Sequence, residues 1–263
     1  MPKIVIFPWL AGLMTILPLH MAVAGQITSD AAEARRYRAC IEQTRGDPET
    51  AVEEALSWRD MGGGFPARHC LALAEAALKA YEPAALRLES LARDMQAGND
   101  ATMAASVLDQ AGNMWVLAGN PRRAEAALAR ARQLQPRNIR ILLDHARMLA
   151  ALQRYDAAAT TLDTVLQLDP SRADALAFRA AARRHLGRLS LAMEDAELAL
   201  ALRPGMAEAL LERGYLHRLA GRKGAARRDW LALLNRNPYG PAADAARAAL
   251  AAMDVKTETQ SGK

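Results

Sequence analysis

An all-α solenoid of helix pairs is the fold this sequence predicts, and three observations predict it. Apolar residues reach 51% while aromatics are only 5%. The excess is Ala and Leu, both strong helix formers, and Val and Ile are too sparse for several strands. Pro136, Pro170, Pro204 and Pro238 recur at intervals of 34 residues, each ending an apolar-periodic stretch that proline cannot continue. A turn and a small residue recur in phase before each proline. The turns are Gly119-Asn120, Gln153-Arg154, Gly187-Arg188 and Gly221-Arg222; the small residues are Ala124, Ala158, Ala192 and Ala226. Two helices of about fourteen residues joined by a tight turn fill such a period.

The elements follow in chain order. Residues 1–24 read as a secretory signal peptide: Lys3, an uncharged stretch from Ile4 to Ala24, and the small-x-small exit Ala22-Val23-Ala24. The other reading is a retained membrane anchor, since about 20 apolar residues span a bilayer. Pro8, Pro18 and the small exit favour cleavage and export, most simply to a bacterial periplasm. Residues 25–104 hold two degenerate helix pairs, near 30–63 and 65–98. Gly46-Asp47-Pro48 and Tyr81-Glu82-Pro83-Ala84 mark their turns, and Asp47 or Thr50 caps the helix after the first. Gly62 to Gly64, before Phe65-Pro66, is a helix-to-helix joint; it lacks the Gly-Lys-Ser/Thr of a phosphate loop. Gln96 to Ala101 reads as a loop that breaks the register by about six residues. Residues 105–240 hold four regular units, 241–253 an alanine-rich capping helix, and 254–263 a polar, disordered tail.

Within the regular units the first helix carries a small residue at one phase: Gly112, Ala146, Ala180, Gly214. Three residues on stand Trp115, Leu149, Arg183 and His217; in the second helix stand Leu128, Leu162, Ala196 and Trp230. On these residues the chain resembles the tetratricopeptide repeat (TPR) family, firmly over 105–240 and loosely over 30–98. Arg183 departs from the family's usual hydrophobe. The resemblance implies a right-handed superhelix whose first helices line a concave groove that holds a protein or peptide partner without catalysis. Carried onto this sequence, the groove comprises Asn113, Arg140, Leu143, Arg147, Arg184, Leu211, Tyr215 and Arg218. Leu143, Leu211 and Tyr215 are expected as an exposed apolar floor. The arginines suit acidic side chains or a free C-terminus, because guanidinium groups hold carboxylates bidentately. Arg140, Asp144 and Arg147 also stand at intrahelical pairing distance. Of the family's Lys and Asn carboxylate clamp only Asn113 matches, so no clamp is expected.

Cys40 and Cys70 are the only cysteines, and in an exported chain such a pair reads as a disulfide. Closing 30 residues would stabilise by roughly 3–4 kcal/mol. A metal site with His69 lacks a fourth ligand at sensible spacing, so no metal or cofactor is expected. The net charge is +5, with 29 Arg among 29 carboxylates and no run of four basic residues, which argues against nucleic acid. No His-Glu-x-x-His, Gly-x-Ser-x-Gly or dinucleotide glycine pattern occurs. The paired carboxylates Glu53-Glu54 and Glu194-Asp195 are expected on solvated outer faces. The sequence therefore reads as a non-catalytic periplasmic scaffold for a cell-envelope protein or peptide. The alternative is a membrane-anchored structural subunit of an envelope assembly, with membrane contact only if residues 1–24 are kept.

Overall fold

The computed structural model describes residues 20–261, with side chains over 31–254. Among these there are thirteen α-helices and no strand. They pair in order: α1 (His20–Gly46) with α2 (Pro48–Asp60), α3 (Gly64–Ala77) with α4 (Tyr81–Ala97), and α5 (Ala101–Leu117) with α6 (Pro121–Leu134). Then follow α7 (Ile139–Ala151) with α8 (Tyr155–Leu168), α9 (Ala173–His185) with α10 (Leu189–Leu202), and α11 (Ala207–Leu219) with α12 (Lys223–Arg236). A last helix, α13 (Pro241–Ser261), closes the stack. Each helix packs on its successor, and first helices touch across units: α1 on α3, α5 on α7, α7 on α9, α9 on α11. The result is an all-α superhelical solenoid whose core is a chain of small clusters rather than one centre.

Local chemistry explains the period. Each of the four prolines sits just beyond the end of a second helix. The turns between paired helices place Gly119, Gly187 and Gly221 at positive φ, and Gln153 adopts the same conformation at φ 60°. Side chains cap several helices: Asp47 accepts from the Thr50 N–H and hydroxyl, Asp100 from the Met103 N–H, and Asn120 from the Arg123 N–H. The recurring small residues permit close approach. A Cβ on Gly112 would lie 2.6 Å from Leu128, and one on Gly214 would lie 2.2 Å from the Trp230 indole.

Several expectations change. The loop at Gln96–Ala101 shrinks to Gly98, Asn99 and Asp100, with Asn99 at φ 62°. The extra residues lengthen α4 and α5 to 17 each, because their apolar spacing continues unbroken through Met95 and Ala104. Helix α13 runs on to Ser261, past Met253 where the sequence pattern closes it. Asp195, expected on a solvated face, is buried and ion-paired. The leader reading of 1–24 falls almost wholly outside the described residues; within them, no helix is long and apolar enough to cross a membrane. Cys40 of α1 and Cys70 of α3 stand at disulfide distance with Cα atoms 6.2 Å apart, buried beside Trp58 and Leu71.

Candidate functional site

The first helices α7, α9 and α11 enclose a cavity of about 490 Å³ on the groove side. Leu143, Phe178 and Met206 supply its apolar surface, and Arg140, Arg147, Arg172 and Arg203 surround it with Asp144, Asp174 and Glu208. The four guanidinium groups are not equally committed. Arg172 is held by Asp174 through two hydrogen bonds of 3.0 and 2.6 Å. Arg140 donates across to the fully buried Asp109 of α5. Arg147 reaches Asp144 at 3.2 Å, but its side chain is 62% exposed, and an exposed pair of this kind is worth little. Arg203 makes no close ion pair among the described residues and acts on Asp174 only from longer range. Arg147 also lies over the Phe178 ring at 5.9 Å. The cavity therefore presents an aromatic surface with two guanidinium groups ready to exchange onto an incoming carboxylate.

The expected groove residues divide. Arg140, Leu143 and Arg147 meet at this cavity. Arg184, Tyr215 and Arg218 form a second cluster between α9 and α11. There the Arg184 guanidinium donates to Glu212 at 2.6 Å and stacks on Tyr215 at 4.9 Å, with Arg218 over the same ring at 5.8 Å. Arg184 is thus committed to the fold. Leu143 is not an exposed floor: it is 8% exposed, packed with Leu142, Ala146 and Leu162. Leu211 and Tyr215 are half-buried against the C-terminal core, Tyr215 edge-on to Trp230 at 5.5 Å. Asn113 is half-buried on α5 and does not line this cavity. Arg140 does not pair within its own helix, since Asp109 of the preceding unit takes it. Sequence reasoning missed Phe178, Arg172 and Arg203. Phe178 is one of three phenylalanines, which was a usable signal; the two arginines sit at helix ends, whose direction depends on the superhelix.

A second cavity, about 290 Å³, opens between α1, α3 and α5 and is lined by Tyr37, Phe65, Pro66, His69, Met103, Ser106, Val107 and Gln110. The Tyr37 hydroxyl lies 2.7 Å from His69 Nδ1, and His69 Nε2 lies 2.8 Å from Gln110 Oε1. Burial holds the His69 imidazole below its ordinary pKa, so the ring is uncharged near neutral pH. Among the described residues no group of three His, Cys, Asp or Glu is placed to hold a metal ion.

This geometry defines a helix-pair repeat module. Residues 116–182 match the tetratricopeptide repeat family model, and the all-α superhelical fold is that of TPR solenoids over the part of the chain that the MamA structures cover. MamA 41-end from Desulfovibrio magneticus RS-1 is similar at 18% identity and TM-score 0.55, over 69% of this chain and 93% of that one. A second crystal structure of MamA gives 16% identity and TM-score 0.56, over 67% and 93%. The first TPR of Spaghetti (RPAP3), bound to the HSP90 peptide SRMEEVD, is 26% identical over 44% of this chain and 93% of that one, at TM-score 0.43. At 16–18% identity the MamA likeness is one of fold. No curated protein matches the sequence.

Proposed function

We propose that this protein is a non-catalytic interaction scaffold, exported to a bacterial periplasm, that holds an acidic peptide segment or protein C-terminus in the cavity between α7, α9 and α11. One observation carries the reading: Arg147 and Arg203 flank the apolar surface of Leu143, Phe178 and Met206 with their guanidinium groups only weakly paired. A carboxylate set between them gains charge-assisted hydrogen bonds, while the neighbouring methylene or ring packs on Phe178. Export rests on the first 24 residues, and with it the oxidised Cys40–Cys70 pair; the mass of the protein recovered from its native cell tests that part.

The test of binding is fluorescence anisotropy with a labelled acidic peptide bearing a free C-terminus. The parent is compared with Arg147→Glu/Arg203→Glu and with Phe178→Ala. Binding should weaken with salt and fall by about tenfold or more in the charge-reversed protein. Equal binding by all three proteins would remove recognition from this cavity. Arg184 is left intact because reversing it would set two carboxylates together at Glu212 and report on folding instead.

A further inference from the structure

First helices also wall the second, uncharged cavity, and we propose that it binds a large uncharged side chain, aromatic or long aliphatic, of the peptide that the central cavity holds by its acid. This takes its partner from the function proposed above and adds what the rest of that partner must contain.

Four observations support it. No Asp, Glu, Lys or Arg lines the cavity, so nothing there repays the desolvation of a charged group. Its 290 Å³ lies at the lower edge of small-ligand pockets, which run from about 300 Å³ upward, and this is room for one large side chain. Its walls are fixed before any ligand arrives, because the Tyr37–His69–Gln110 hydrogen bonds tie α1 to α3 and α3 to α5. Two large apolar side chains stand exposed at its edge, Phe65 at 42% and Met103 at 51%; a seated ring or alkyl chain would cover both.

Helix α5 joins this cavity to the central one. Ser106 and Gln110 form its wall, while Asp109, between them in sequence, holds Arg140 of the central cavity. Arg140, which lines the central cavity, is thus anchored on the helix that walls the neutral one. No cation is among the neutral cavity's lining residues, which separates its ligand chemistry from that of the arginine-lined site.

Methionine methyl NMR reads the two cavities separately, since Met103 lines one and Met206 the other. Three probes are used with the purified protein: a capped neutral Gly-Trp-Leu-Gly amide, an acidic peptide with a free C-terminus, and the two joined by a flexible glycine linker. The neutral peptide should shift the Met103 methyl, leave Met206 still and be indifferent to salt. The joined peptide should bind on the order of 10²-fold tighter than either part. Ser106→Phe, which fills the cavity and keeps the reporter, should abolish the Met103 shift and leave the acidic peptide's effect on Met206 intact. An unmoved Met103 methyl at saturating neutral peptide, or a shift that survives Ser106→Phe, would overturn the inference. Silence of Met206 toward the acidic peptide would instead sink the function proposed above, with the neutral peptide still reporting on this cavity.

Discussion

Asp109 shows how one residue couples the fold to the groove. It is fully buried, one carboxylate oxygen has no hydrogen-bond partner, and the other meets Arg140. Burial lifts its pKa from 3.8 to about 6; Arg140 opposes the rise and Asp144 adds to it. The native state therefore keeps a proton that the unfolded chain has already lost. Stability from this group is present in full below pH 3.8 and is lost as pH rises through about 6, by up to about 3 kcal/mol. Asp109→Asn removes the ionisation. We expect its urea midpoint to exceed the parent's near pH 7.5 and the difference to shrink toward about pH 5. A constant difference across that range would show that Asp109 is not the group titrating. The long pairing also explains why the site was only partly legible in the sequence. Arg140, Asp144 and Arg147 read as an intrahelical set, but Arg140 is taken by a residue 31 positions away that only the stacking of units brings near.

At the scale of the helix pair, close approach competes with helix propensity. A glycine within a helix costs about 1 kcal/mol relative to alanine, so Gly→Ala stabilises where space allows. A Cβ added to Gly224, on α12, would meet only the flexible tip of Arg228, at 3.8 Å, and Gly224→Ala should raise stability by about 0.5–1 kcal/mol. Gly214→Ala places its methyl 2.2 Å from the rigid Trp230 indole. Overpacking of that kind costs about 1–3 kcal/mol, so the net change should be destabilising. Thermal melts of the two variants should move in opposite directions; a rise in both would mean that α11 and α12 separate easily. The sequence pattern made this pairing visible, because a small residue facing a large one recurs with the period. It could not show what happens where the pattern fails. Arg183 stands where a hydrophobe is usual, and the structure answers with charge: Arg179 and Arg183 both hold the buried Asp195 at 2.7 Å, with Asp163 beside them. The longer α4 and α5 were hidden for a related reason, since an added turn of helix and an inserted loop shift the register alike.

Over the whole molecule, the two ends of the solenoid are closed by different means. A repeat stack owes its stability to units and their nearest interfaces, so terminal units open first unless something covers them. At the C-terminus α13 lays Ala243, Ala246, Ala249 and Met253 over Trp230 and Leu233. At the N-terminus the packed cluster around Trp58 and Leu71 is small, and Cys40 of α1 and Cys70 of α3 stand in it at disulfide distance. Cys70 follows His69, so a disulfide there would also brace the neutral cavity. A bond closing 30 residues is worth roughly 3–4 kcal/mol, which a small terminal cluster cannot easily replace. Non-reducing peptide mapping of the native protein should recover the two cysteines joined. In Cys70→Ser, amide exchange should quicken across α1 to α3, while α9 to α13 keep the parent's protection, because nearest-neighbour coupling fades along the stack. Uniform loss of protection through α13 would show instead that the chain unfolds as one cooperative body, and that the Cys40–Cys70 pair bears on every unit alike.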